Sequence, residues 1–184
     1  MNKYVKNLLL GAWVWYFGAG LFGPLYAVFA EQVGGDILDI TGAYALFLII
    51  VGVLSIYVGR ISDKYSKKKL MIFGYLLNAI ATFGYILVDT PLKLFAVQGL
   101  LGVSAALASP TWDSLFSAHL EKKNIGQQWG LYEGGPSIIM GIALLIGGFI
   151  LTRFNFQTLF AVMGTVQIIT TIVQFQIYRL DKKY

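Results

Sequence analysis

Six apolar stretches, separated by short polar or charged breaks, account for nearly the whole chain. They run over roughly 8–30, 40–58, 70–88, 94–116, 129–151 and 157–178. A helix needs about 20 mostly apolar residues to span the hydrocarbon of a bilayer, and each stretch has that length. The breaks read "EQVGGDILD", "GRISDKYSKKK", "DTPLK", "SAHLEKKNIGQQ" and "TRFNF", which leaves no room for a soluble domain between segments. The pattern predicts an all-α membrane protein with a single six-helix transmembrane domain over 1–184. Lys3 and Lys6 precede the first segment and no small-residue cleavage site followed by a soluble domain comes after it, so that segment is expected to be a retained helix.

Composition sharpens this reading. The chain is 57% hydrophobic and 12% charged, with a mean hydropathy of +0.70, whereas a soluble domain is about a quarter charged. Cysteine is absent and His119 is the single histidine, which excludes disulfides and thiolate chemistry and leaves no metal-ligand set. No nucleophile–base pair can be assembled either, so an enzyme is not expected, and neither is a cofactor. The net charge of +5 is explained by topology before any acidic partner such as nucleic acid. Twelve of the fourteen Lys and Arg fall at the N-terminus, in the second and fourth breaks and in the C-terminal tail, against Lys93 and Arg153 in the remaining breaks. Basic loops stay cytoplasmic, so both termini are expected on the cytoplasmic side of the cell membrane.

Two segments share a local pattern. "GPLYAVF" (Gly23 to Phe29) and "SPTWDSL" (Ser109 to Leu115) both read small-Pro-x-aromatic-x-x-apolar, and they lie in segments one and four, which run in opposite directions. A 3+3 inverted repeat produces such pairs; proline near a helix end produces them as well. Two acids lie inside segments: Asp113 in the fourth and Glu133 in the fifth. A charge at helix centre costs about 2.5–3.5 kcal/mol on insertion scales, and less near an interface. Two explanations stand: a cavity site for a cation or proton, or a place near enough to the interface to hydrate or to pair with Lys122, Lys123 or the lysines of the second break. In "WVWYFG", Trp13, Tyr16 and Phe17 are candidates for an aromatic cavity wall, and interfacial-belt placement is the alternative. Asn78, Gln98 and Gln167 are neutral polar groups able to bond across helices. His119 reads as a solvated loop residue or a pH-responsive group, and the glycines of the fifth segment as close-packing positions.

The second break carries a resemblance to a family. "GRISDKYSKKK" resembles the loop between helices two and three of the major facilitator superfamily, Gly-x-x-x-Asp-Arg/Lys-x-Gly-Arg/Lys-x-Arg/Lys. Gly59, Asp63, Lys64, Lys67 and the basic pair Lys68 and Lys69 match in position, with Ser66 where the family prefers glycine. "QGLLGVSAALASP", "GIALLIGGFI" and "FNFQTLFAVMG" are similar to stretches of the family's helices four, five and six, so the resemblance spans the family's N-terminal half. Many proton-coupled members carry an arginine where this chain has Phe95. The resemblance implies a major-facilitator-type half bundle, with the substrate site between two halves and helix four lining it, which makes Gln98 the best ligand candidate; Asn78 and Gln167 fall on helices that are peripheral in the family. It also implies that Asp63 caps a helix of the opposite half, around Gln127 to Trp129, and stabilises the outward-open state.

The expected function is secondary transport of a small molecule, amphipathic or cationic and exported against protons, by a parallel homodimer working through alternating access. Dimerisation would bring up to four carboxylates, Asp113 and Glu133 of each copy, around one axis. The alternatives are facilitated diffusion of a neutral solute, and a non-transporting half-subunit or scaffold that pairs with another half.

Overall fold

The computed structural model describes residues 1–180; Lys182 and Lys183 of the basic tail lie outside the described residues. Every regular element among them is helical. The first predicted segment is not one helix. α1 (Lys3–Gly20) starts on Asn2, whose side chain accepts from the Val5 N–H at 2.8 Å, and α2 (Leu25–Gln32) follows at a 46° bend. The break has a local cause. Gly23 takes a left-handed φ of +27°, and Pro24 has no N–H to continue the ladder.

α3 (Ile37–Ser62) begins three residues before its predicted segment because Asp36 and Asp39 form a capping box. The Asp39 N–H donates to Asp36 Oδ1 at 2.9 Å and the Asp36 N–H to Asp39 Oδ2 at 3.2 Å. α4 (Lys67–Gly84) runs into a 3-10 turn, Tyr85–Leu87. α5 (Pro91–His119) carries Pro110 inside an unbroken helix, with the Thr111 hydroxyl donating to the Leu107 carbonyl at 2.7 Å one residue further on. The two similar proline segments therefore differ: one breaks its helix and the other does not. From the first turn of α5, Lys93 donates to Asp89 in the preceding turn at 2.6 Å, and that hydrogen bond holds the Asp89 carboxyl below its ordinary range. A second 3-10 turn (Lys122–Asn124) leads to α6 (Ile125–Arg153), and α7 (Phe156–Phe175) and α8 (Ile177–Leu180) complete the chain. Among the described residues five helices are long and apolar enough to cross a membrane, and the bent α1–α2 pair makes a sixth when taken as one span.

The packing has a regular plan. α1 packs on α6 and α7, α5 packs on α3 and α4, and α4 packs on α7. Exchanging the first span for the fourth, the second for the fifth and the third for the sixth maps these pairings onto themselves, as a 3+3 repeat requires. At the α1–α7 seam, polar groups are interleaved with glycines. Gln174 Nε2 donates to the Leu8 carbonyl at 3.4 Å, Gln167 Nε2 to the Trp15 carbonyl at 3.3 Å, and Asn7 Nδ2 to the Val173 carbonyl at 3.0 Å. Gly11 and Gly18 stand beside Gln174 and Gln167, where a Cβ would collide with the amides. At the α1–α6 seam the chain approaches closer still: a Cβ on Gly147 would overlap the carbonyl of Leu21 in the break.

Two aromatic-rich cores occupy the ends of the bundle. Near the α2–α3 turn, Phe22 meets Phe29, Tyr85, Phe156 and Phe160. Near the α3–α4 turn, Trp112 stacks on Phe116 and Tyr132, with Tyr4, Met71 and Ile177 in the same cluster. The space between the cores is not filled.

Candidate functional site

α1 and α5 touch each other only lightly, and a cleft separates them with α4 behind. It consists of two cavities that share Trp15, Asn78 and Ala105. The larger, of ≈ 520 Å³, lies toward the α2–α3 end. Trp15, Tyr26, Tyr44, Phe47 and Tyr85 form aromatic walls, while Asn78, Thr82, Gln98 and Gln167 supply the polar groups. Its exposed margin includes Gly23, Thr41 and Tyr44. The break in the first span shapes this cavity, since Phe22, Gly23 and Tyr26 reach it from the turn and from α2. The Tyr26 hydroxyl is fixed by donating to the Ile40 carbonyl at 3.2 Å.

The smaller cavity, of ≈ 60 Å³, continues toward the α3–α4 end and is wide enough for only a few waters. Tyr16, Tyr75, Trp112, Tyr132 and Asp113 line it. Asp113 Oδ1 accepts from the Tyr132 hydroxyl at 3.2 Å. Tyr132 is held in place by rings: it stacks on Trp112 at 4.8 Å and meets the edge of Trp129 at 5.6 Å. Glu133 is exposed on α6 and lines neither cavity. Neither acid forms an ion pair among the described residues, so Lys122 and Lys123 do not neutralise them.

The structure distributes the sequence-predicted site residues over three places. Tyr16, Gln98 and Asp113 lie in the cleft. Trp13 and Phe17 line neither cavity. Trp13 Nε1 donates to the Leu131 carbonyl at 3.2 Å, beside Gly135, and Phe17 packs on the core near the α2–α3 turn. The loop residues Gly59, Asp63, Lys64, Lys67 and Lys68 sit at the far end. Asp63 ends α3, is exposed, and reaches Lys67 Nζ at 3.7 Å, while Lys68 Nζ lies 5.9 Å from the centre of the Tyr4 ring. His119 stacks on Tyr4 at 3.9 Å and its Nδ1 lies 2.7 Å from the Leu115 carbonyl, so it is not a free loop side chain. Trp15, Tyr26, Tyr44, Asn78 and Gln167 are among the cleft residues that the sequence does not single out as site candidates. The available signal was a polar amide in an apolar helix, twice.

The family model of the Major Facilitator Superfamily matches residues 8–183. An uncharacterized MFS-type transporter of Methanocaldococcus jannaschii is 27% identical over 179 residues, covering 95% of this chain and 46% of that protein. The quinolone resistance protein NorA of Staphylococcus aureus is 24% identical over 187 residues, covering 100% of this chain and 47% of its own. The chain thus spans about half the length of these two relatives. It covers 88% of the uncharacterized MFS-type transporter YitZ of Bacillus subtilis, at 21% identity over 145 residues and 79% of this chain.

Proposed function

The chain belongs to the major facilitator superfamily, and on that premise we propose that it supplies one six-helix half of a transporter that exports a small amphipathic or cationic compound against protons by alternating access. Members of this family are transporters and not enzymes, and with its apolar helices the chain is a multi-pass membrane protein. The observation that carries the reading is the α1–α5 cleft, in which an aromatic cavity narrows to a single carboxylate, Asp113. Aromatic walls take up a flat apolar body, and an acid at the end of a water-sized passage is placed to exchange a proton with the passage. The name of NorA adds support, because quinolones are flat amphipathic molecules. The basic residues at the N-terminus and in the α3–α4 and α5–α6 connections favour placement in the cell membrane with both termini in the cytoplasm.

The second half is proposed to be another copy of this chain, arranged parallel. α3 and α6 are the least covered helices, and Gly130, Gly134 and Gly141 of α6 meet nothing within 4 Å; such small-residue faces allow close helix approach in membranes. Asp63 would then meet the start of the partner's α6, where a carboxylate gains about 0.3–1 kcal/mol, or up to about 2 when partly buried. Two symmetric contacts of that size bias an equilibrium of a few kcal/mol without locking it. That surface is stiff: Gln128 Nε2 donates to the Glu121 and Asn124 carbonyls, each at 3.0 Å.

Two measurements test these statements. Purified protein in proteoliposomes is expected to drive ethidium against its gradient when a pH gradient is imposed, and to stop when the gradient is dissipated. Flux that ignores the pH gradient would leave only facilitated diffusion, and no flux would favour the scaffold alternative. Because the chain has no cysteine, differently tagged Tyr65→Cys and Gln127→Cys copies expressed together are expected to give a mixed disulfide-linked dimer in native membranes. Its absence under oxidising conditions, with a monomeric mass in lipid, would remove the homodimer.

A further inference from the structure

We infer that Arg60 of α3 and Glu133 of α6 form an ion pair between two copies of this chain, made twice about a two-fold axis, which specifies a second copy as the occupant of the uncovered α3 and α6 faces. This contact rests on the homodimer reading and supplies the chemistry that selects the partner. Both side chains are exposed, neither lines the cleft, and neither takes part in an ion pair among the described residues. Asp63, the acid nearest Arg60 along the chain, is engaged by Lys67 at 3.7 Å. Charges set against lipid are costly, and membrane proteins pair them.

Each charge lies on the face of its helix that its own copy leaves open. On α6, Gly126, Gly130, Glu133, Ser137 and Gly141 recur at helical spacing and are all exposed, and a Cβ on any of these three glycines would meet nothing within 4 Å. Gly135, beside Trp13 of α1, points the other way. On α3, Ile49, Gly52, Ile56, Arg60 and Asp63 repeat the pattern, all exposed, and Gly52 likewise meets nothing. The depths agree as well. Arg60 stands two residues before the end of α3 and Glu133 eight after the start of α6, about 3 and 12 Å from the same end of the bundle. Side chains lean toward the N-terminus of their helix, so Arg60 leans away from that end and Glu133 toward it, which closes the offset. One chain carries both partners, so a two-fold axis answers every charge. A half that lacked either residue would leave one charge unpaired.

Self-association of the full chain in lipid vesicles tests this without flux. Because the chain has no cysteine, copies labelled at Gln157→Cys, an exposed position at the other end of the bundle, report association by energy transfer as protein is diluted in lipid. Glu133→Arg and Arg60→Glu are each expected to weaken self-association at least about tenfold, since each sets like charges together twice. A mixture of the two variants is expected to associate within about threefold of the wild type, because the mixed dimer regains both pairs. A role inside one copy gives no such rescue in trans. Neutral variants lose attraction without gaining repulsion, so they remain dimeric at the densities of a transport assay. Single variants that associate like the wild type, or a mixture no stronger than its components, overturn the pair. Should Glu133→Arg fail to insert, the cycle of Glu133→Gln, Arg60→Gln and the double variant decides: the double is expected to be no weaker than either single, and additive losses overturn the pair. A dimeric wild type with additive losses sinks the pair and leaves the homodimer; a wild type monomeric at every density sinks both.

Discussion

Replacing Gly147 by valine is expected to abolish recovery of folded protein from the membrane, while the same change at Gly148 leaves it in place. The two positions are adjacent on α6 and differ only in what their side chains would meet. At Gly147 a Cβ would overlap the Leu21 carbonyl and come within 2.8 Å of its carbon; at Gly148 nothing lies within 4 Å. The obstacle at Gly147 is backbone, so no rotamer change relieves it and α1 and α6 must separate. The same seam is tight at Gly20, where a Cβ would stand 2.9 Å from Met140 Cα, so separation at one point unpacks both. Inserting carbon into a filled interior costs about 1–3 kcal/mol when side chains can adjust, and a backbone obstacle lies at or beyond the upper end. Total stabilities are only about 5–15 kcal/mol. Size-exclusion chromatography and thermal unfolding in detergent measure the difference. A Gly147→Val protein as stable as Gly148→Val would mean that the α1–α6 approach is looser than described.

The same seam shows what a single sequence can and cannot convey. Lipid-spanning segments are legible because their signal is local: an apolar run of fixed length bounded by charge. The capping box at Asp36 and Asp39 is also local, and it explains why α3 starts earlier than its apolar run. Proline stands in both similar segments, at Pro24 and Pro110, but its effect on the helix differs between them. Gly23 admits a left-handed turn before Pro24, whereas no positive-φ residue adjoins Pro110 and α5 continues through it. In the cleft, the difficulty is angular. Successive helix residues point about 100° apart, so in "WVWYFG" each ring faces a different neighbour, and nothing local says that Trp15 and Tyr16 face α5 while Trp13 faces α6. Gln167 and Asn78 are legible as amides in apolar helices; their position on a cavity wall is set by which helices close around α4 and α7, a long-range outcome.

Asp113→Asn is expected to uncouple transport from protons while keeping the protein folded and able to bind. The substitution is close to isosteric, and an asparagine oxygen still accepts from the Tyr132 hydroxyl that now meets Asp113 at 3.2 Å. Tyr132 itself is fixed by Trp112 and Trp129, so the cluster around the site is undisturbed. What is lost is the ability to gain and release a proton at the narrow end of the cleft. If one proton is exchanged per cation, each pH unit is worth about 1.4 kcal/mol, or tenfold accumulation. A gradient of two pH units therefore sustains an ethidium ratio of about 100 in the wild-type chain, and the ratio falls to one in Asp113→Asn while downhill exchange continues. Glu133→Gln separates the two acids. Glu133 is exposed on α6 outside both cavities. Because it lines neither cavity, its loss is expected to leave the ethidium ratio intact. A full gradient retained in Asp113→Asn and lost in Glu133→Gln would transfer the proton site to α6 and to whatever packs against its uncovered face.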